Sequence, residues 1–445
     1  MINPILLPEL RLMLAENDGQ GLFEVATELH PATVADFTEG LSVEDTWSML
    51  SHAPLGTQAD IFSYYSNQKQ EEMVLGGGRQ RMGSLLEEMA PDNRVDLLKR
   101  LDDNVVQELL PLVAKAERHD IVTLLSYPEG SAGSFMNTEY ASVPAEITAG
   151  EAIARLRNQA PDNEMIYYIF VLGPDRQLLG LVSLRDLILA RPTTPVEDLM
   201  QRDVIAVRVD EDQEEVANKM ARYDFLAMPV VDSSGRLVGI VTHDDIIDIV
   251  REEATEDAHR IAGVAPLTLG YLETGLLALT WKRGVWLAIL FLTAMFTTTA
   301  LQQYEDTQIE FTWMILFIPL IMSCGGNSGN QSATLIITAL STGDISLKDW
   351  YRVVRRELMM GLLLGVGLGI FGLIIANYYV GMPHALVVPV TVTLVVMCGT
   401  MVGSLSPLIF RRMGLDPALM SNPFVSGIID ILGIVIYMNV AILLL

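Results

Sequence analysis

Two hydrophobic rhythms divide the chain. Beyond residue 283 apolar residues gather into five blocks, Gly284–Tyr304, Trp313–Leu340, Leu358–Tyr379, Ala385–Phe410 and Phe424–Leu445. Each is near or above the roughly 20 residues that a helix needs to cross a hydrocarbon core. Residues 1–130 instead carry apolar positions at helical spacing, punctuated at Leu29-His-Pro31, Ala53-Pro54, Ala90-Pro91-Asp92 and Leu110-Pro111. Proline or Asp at such breaks opens new helices, so this stretch predicts a small all-α domain, read as a superhelix of helical pairs. Gly76-Gly-Gly78 precedes neither Lys-Ser/Thr nor a strand and reads as a turn.

Between these regions a pattern occurs twice. Phe170-Val-Leu-Gly-Pro-Asp-Arg-Gln-Leu-Leu-Gly-Leu-Val-Ser-Leu-Arg-Asp186 aligns with Pro229-Val-Val-Asp-Ser-Ser-Gly-Arg-Leu-Val-Gly-Ile-Val-Thr-His-Asp-Asp245. Each copy predicts a buried strand, a turn, a second strand containing Gly-x-Val and a helix opened by Asp. The repeat resembles a tandem pair of cystathionine-β-synthase (CBS) domains over about Ser131–Val250. That resemblance implies a module that usually dimerises and can hold an adenine nucleotide between its copies. Tyr168, Arg185, Asp186 and Phe225 stand at the matching positions for ATP.

Charge changes the picture most. The chain has 55 acidic and 29 basic residues; 47 and 21 of them lie in residues 1–280, and eight of each in residues 281–445. The whole excess of −26 therefore belongs to the soluble part, where it repels nucleic acid and attracts cations. Lys and Arg in the apolar half fall before the first block, between the second and third, and between the fourth and fifth. By the positive-inside rule those loops are cytoplasmic, with the N-terminus inside and the C-terminus outside the inner (plasma) membrane. The start Met1-Ile-Asn-Pro lacks the basic and apolar regions of a cleaved signal. Both cysteines, Cys324 and Cys398, lie in apolar segments and imply no disulfide framework.

Asp430 sits inside the run Phe424-Val-Ser-Gly-Ile-Ile-Asp-Ile-Leu-Gly-Ile-Val-Ile-Tyr437, with no nearby basic residue. A carboxylate at such depth costs about 2.5–3.5 kcal/mol on insertion scales and normally faces a bundle interior or a wet path. The second block carries Cys324-Gly-Gly-Asn-Ser-Gly-Asn-Gln-Ser332, expected to interrupt its helix and line a polar path; a close helix contact is the alternative. Pro319, Pro389, Pro407 and Pro423 are read as further breaks. Just before the membrane, Asp245, Asp248 and Glu252 share one helical face, while Glu253, Glu256 and Asp257 form a second acidic stripe. A hydrated Mg²⁺, which needs only a carboxylate or two per site, is the natural screen for such a surface. The histidines show no ligand spacing, and no P-loop, nucleophile elbow or acid/base pair supports an enzyme.

These parts in this order resemble the MgtE family of magnesium channels across essentially the whole chain, most specifically in Gly325-Gly-Asn-Ser-Gly-Asn-Gln331 and Asp430. The resemblance implies an acidic α-helical N-domain over 1–130, an α/β CBS pair over 131–257, a connecting helix over 258–282 and a five-helix transmembrane pore domain over 283–445. It further implies a homodimer in the lipid bilayer, with paired Asp430 carboxylates binding hydrated Mg²⁺ in a pore lined by Gly325, Gly326, Asn327 and Asn330. Regulatory Mg²⁺ positions carry over to Asp92, Asp96, Asp224, Asp245, Asp248, Glu253, Glu256, Asp257 and Asp416. Asp60 departs from the family pattern, being a methylene shorter than the glutamate found there. The expected activity is Mg²⁺ import shut off by cytosolic Mg²⁺; a secondary transporter of another divalent cation or small solute, and a membrane-bound nucleotide sensor, are the other classes.

Overall fold

The computed structural model describes residues 7–159, 165–267, 270–272, 274–382 and 384–445. It divides into two units, residues 1–250 and 251–445. In the first, the predicted all-α domain is built from α1 (Leu7–Glu16), α2 (Gly19–Glu28), α3 (Pro31–Thr38), α4 (Val43–Leu50), α5 (Leu55–Ser63), α6 (Asn67–Gly76), α7 (Arg79–Glu88), α8 (Pro91–Arg100), α9 (Asp103–Leu109) and α10 (Lys115–Leu125). Helices two apart in sequence pack on one another, α3 on α5 on α7 on α9 and α2 on α4 on α6 on α8 on α10. This is the stacking of a superhelix. The starts follow the sequence signals: Pro31 and Pro91 occupy first turns, and the Ser42 and Ser66 side chains accept from Asp45 and Lys69 backbone N–H groups. Trp47, Phe62, Leu85 and Leu86 fill the core. Arg94 is buried and donates to the carbonyls of Glu87 and Met89, supplying acceptors at the end of α7 with the donors they lack.

The repeat folds as two similar copies. The first contains α11 (Ala132–Phe135), β1 (Tyr140–Pro144), α12 (Ala149–Gln159), β2 (Met165–Leu172), β3 (Leu178–Ser183) and α13 (Leu184–Leu189). The second contains α14 (Val196–Leu199), β4 (Val207–Arg208), α15 (Gln213–Tyr223), β5 (Ala227–Val231), β6 (Leu237–Thr242) and α16 (His243–Ile261). Each sheet joins a parallel pair to an antiparallel hairpin, in the orders β1-β2-β3 and β4-β5-β6. The glycine of each Gly-x-Val is required by a close crossing. A Cβ on Gly180 would lie 2.8 Å from Met200 Sδ and 2.9 Å from the Gln201 carbonyl; one on Gly239 would lie 2.7 Å from Met136 Sδ and 2.9 Å from the Asn137 carbonyl. The two aspartates that end the repeated pattern both serve as third-residue caps: Asp186 accepts from the Ser183 hydroxyl, and Asp245 from the Thr242 N–H and hydroxyl.

In the second unit α16 stops at Ile261, short of the helix expected over 258–282. Gly263 adopts φ 72°, which favours glycine, and Pro266 follows three residues later. Helix resumes as α17 (Leu276–Gln303), followed by α18 (Glu305–Glu310), α19 (Ile318–Ser341), α20 (Trp350–Val380), α21 (Val387–Arg412) and α22 (Asn422–Leu444). Helices α17, α20, α21 and α22 are long and apolar enough to cross a membrane. The 24 residues of α19 span about 36 Å, and its polar segment is what makes it less apolar.

Helix α21 packs between α19 and α20 along two glycine seams. On one side Gly399 and Gly403 lie against the backbone of Gly325 and Gly329; a Cβ on Gly399 would stand 2.5 Å from the Gly325 carbonyl oxygen. On the other, Gly361, Gly365 and Gly369 of α20 meet Met397, Thr393 and Pro389 of α21. Without a hydrophobic force between helices in lipid, such backbone approach supplies the packing attraction. Gly403→Ala therefore loses about 1–3 kcal/mol through overpacking against Gly329. Gly367→Ala, whose Cβ meets nothing within 4 Å, is neutral or mildly stabilising. Thermal unfolding of the detergent-solubilised protein checks the pair: a lower midpoint for Gly403→Ala alone is expected, and equal midpoints refute the seam.

Candidate functional site

The polar segment of the second span corrects the sequence reading. Its backbone is helical without interruption from Ile318 to Ser341, because the glycines serve close contact with α21 and leave the turns intact. The prolines break little: Pro319 and Pro423 occupy first turns, Pro389 is the third residue of α21, and Pro407 alone of the four lies deep inside a helix. Gly325 is buried, with Ile429 Cγ2 2.8 Å from the position of a Cβ, and is thus a packing position. Gly326 faces Ser426, whereas Asn327 is exposed and donates to Ser323 Oγ at 3.2 Å.

Polar side chains of α19 and α22 pair in register. Asn330 and Ser426 exchange hydrogen bonds at 2.9 and 3.2 Å, and Thr334 and Asn422 do so at 3.3 Å. The helices are antiparallel, so four residues back along α19 and four forward along α22 bring Gly326 level with Asp430. Gly326 itself has no side chain with which to answer the carboxylate. Among the described residues Asp430 has no hydrogen-bond or ion-pair partner, and it is half-buried. The ladder thus ends on an uncompensated negative charge, a place for a cation with its water.

In the first unit, Asp92 in the first turn of α8 and Asp245 in that of α16 are brought together, 153 positions apart in the chain. Asn137 Nδ2 donates to Asp92 Oδ1 at 3.1 Å. Burial, and then the negative charge of Asp92, push the Asp245 carboxyl up to about 7. Asp96, one turn beyond Asp92, lies 3.9 Å from Lys99 Nζ. Asp224 ends α15 at φ 53° and is exposed, as is Asp248 one turn past Asp245. Among the described residues no three Asp, Glu, His or Cys side chains form a preformed metal cage. A pair of carboxylates suits a cation that keeps most of its own water.

In the second unit the acidic stripe has partners that sequence reading missed. Arg260 pairs with Glu256 and Asp416, and Ser341 Oγ donates to Asp257 at 3.2 Å. Glu253 lies half-buried one turn before. The i,i+4 spacing of Glu256 and Arg260 was a legible signal; Asp416, Ser426, Thr334 and Asn422 engage partners too distant in sequence to pair by spacing. Between the CBS copies, Tyr168 and Phe225 line one small cavity with Leu181, Gln201 and Ile205. Arg185 and Asp186 stand exposed in the first turn of α13 and are not among its lining residues.

Residues 318–440 match the family model described as a divalent cation transporter, residues 29–130 the MgtE intracellular N domain, and residues 132–192 and 196–252 the CBS domain. The magnesium transporter MgtE of Thermus thermophilus is 42% identical over 436 residues, 97% of each chain. The magnesium transporter MgtE of Bacillus subtilis is 31% identical over 438 residues, covering 97% of this chain and 96% of its own. The solved cytosolic domain of the Mg²⁺ channel MgtE in complex with ATP superposes with a TM-score of 0.52 at 39% identity, over 55% of this chain and 99% of that one.

The raised Asp245 carboxyl predicts a pH effect. Its folded value of about 7 lies above the ordinary 3.8, so its packing beside Asp92 is favoured while it is protonated. That contribution is complete below about 3.8 and is lost as pH rises through about 7. In chelator, amide hydrogen exchange of α8 and the first turns of α16 should accelerate between pH 5.5 and 7.5 beyond the intrinsic chemical rate. Asp245→Asn should remove that excess; an unchanged excess in the variant refutes the assignment.

Proposed function

The chain belongs to the MgtE family of magnesium transporters, and from that premise we propose that it is a Mg²⁺-selective channel, a homodimer of the inner membrane that imports Mg²⁺ and closes when cytosolic Mg²⁺ is high. The observation that carries this reading is Asp430, a carboxylate without a partner among the described residues at the end of the α19–α22 ladder. A twofold axis would bring two such carboxylates to one hydrated ion, and Gly326, Asn327 and Asn330 would line its approach. Mg²⁺ gives up its water reluctantly, so two outer-sphere carboxylates suffice to hold it without trapping it. Inward passage of a divalent ion is worth about 4.6 kcal/mol per 100 mV of membrane potential, and no hydrolysis step is required.

Closure follows from the acidic surfaces. Mg²⁺ shared by carboxylates such as Asp92 and Asp245 relieves their mutual repulsion and favours the compact cytosolic arrangement; when Mg²⁺ falls, the repulsion returns. ATP takes the cavity between the CBS copies as a regulator, its adenine stacked against Tyr168 and Phe225. The carboxylate-poor lining of that cavity, with Asp203 its acidic member, suits a nucleotide better than a second metal ion.

In proteoliposomes containing only this protein, Asp430→Ala should abolish Mg²⁺ uptake and Asp430→Asn should impair it strongly, both eluting as the wild type does. Wild-type flux in either variant removes Asp430 from the pore. Base stacking on an aromatic ring is worth about 1–3 kcal/mol. Tyr168→Ala should therefore weaken ATP binding about 5- to 150-fold in calorimetry, and unchanged affinity places the nucleotide elsewhere.

A further inference from the structure

Arg260, in the last turn of α16, pairs at once with Glu256 of its own helix and with Asp416, 156 residues later. The three side chains are about equally shielded, 28–30% exposed. The second oxygen of Asp416 accepts from the Ala418 N–H at 2.8 Å and so holds the turn Pro417–Leu419 that leads into α22. Two further contacts join the same place. Gly263, just past the end of α16, lies against Pro423 and Ser421 at the start of α22, and Asp257 receives the hydroxyl of Ser341, the last residue of α19. The end of α16 therefore grips both helices of the polar ladder at the end away from Asp430. The Thr334–Asn422 rung is the nearest described, seven residues from Ser341 and six from Asp416 along the chain.

We propose that Arg260 is the standing counter-ion of Glu256 and Asp416, and that these two carboxylates are coupling groups that clasp α16 to α22 without Mg²⁺. A tethered guanidinium needs no binding from solution, and its planar fork serves two carboxylates at once. Arg260 cancels one of the two charges it pairs with and also attracts the nearby Asp257, whose carboxylate is engaged by Ser341; an incoming divalent ion must displace this covalently attached competitor. Movement of α16 is then transmitted to α22, which carries Asp430, at any cytosolic Mg²⁺ concentration. The Mg²⁺ dependence arises upstream, at carboxylates such as Asp92 and Asp245. This inference rests on the reading that cytosolic Mg²⁺ closes the channel.

The sign of one shift decides between a clasp and a metal site. If Glu256 and Asp416 were Mg²⁺ ligands, Arg260→Gln would remove a competitor and lower the Mg²⁺ needed for closure. If they are a clasp, Arg260→Gln uncouples α16 from α22 and raises it. Patch recordings of the full chain across bath Mg²⁺ should show closure by Arg260→Gln requiring at least about fivefold more Mg²⁺, the lower end of ordinary coupling between sites. Asp416→Asn should shift the same way, the double variant should be no worse than the stronger single one, and Arg260→Lys should recover part of the effect. Protection of the cytosolic half from proteolysis by Mg²⁺ should remain as in the wild type, which a merely misfolded variant would not retain. An unchanged or lowered requirement in Arg260→Gln, additive single effects, or loss of that protection overturns the clasp. Absence of Mg²⁺-dependent closure in the wild type overturns instead the gating reading beneath it.

Discussion

A carboxylate held in an apolar helix without a counter-ion is the constraint around which the second unit is arranged. Among the described residues nothing pairs with Asp430; on the neighbouring turn of α19 Gly326 has no side chain and Asn327 is bonded to Ser323. An unpaired charge cannot be left in hydrocarbon at a tolerable cost, so that position must be kept wet. Farther along the same seam Asn330 takes Ser426 and Thr334 takes Asn422. The contrast between satisfied rungs and an unsatisfied terminus marks Asp430 out more sharply than burial does.

Keeping a polar face straight requires rigidity behind it. The glycines of α19 and α21 let two backbones touch, and those of α20 do the same on the opposite side of α21. The result is a three-helix block against which α22 rests. Helix α17 is exposed along most of its length within this chain and meets α22 near Gly427 and Thr293. In the first unit the same device appears at Gly180 and Gly239, where each hairpin is crossed closely by the segment that opens the other copy.

Most of the architecture was legible because it rests on periodicity. Helix starts in the N-domain fell at Pro and Asp, and the CBS pair declared itself by repetition. Legibility failed where one residue type serves two physical purposes. Glycine in Cys324–Ser332 could mean a broken helix or a close contact, and only the facing glycines Gly399 and Gly403, some seventy residues away, decide for contact. The connecting helix was drawn too long because apolar and charged residues continue past Ile261, while the left-handed Gly263 stops it. At the candidate sites, Asp430 was visible as an anomaly of composition. Asp92 with Asp245, and Arg260 with Asp416, are meetings across more than 150 positions that no spacing rule reaches.

The ladder itself carries no formal charge. Hydroxyls and amides trade partners with water at little net free energy, about 0.5–1.5 kcal/mol for each bond, and their exchange leaves no Coulomb trap for a passing ion. A seam sealed by salt bridges would grip a divalent cation at every rung. One sealed by Asn, Ser and Thr wets and dries with low friction, which leaves Asp430 as the formal charge at the end of an otherwise neutral seam.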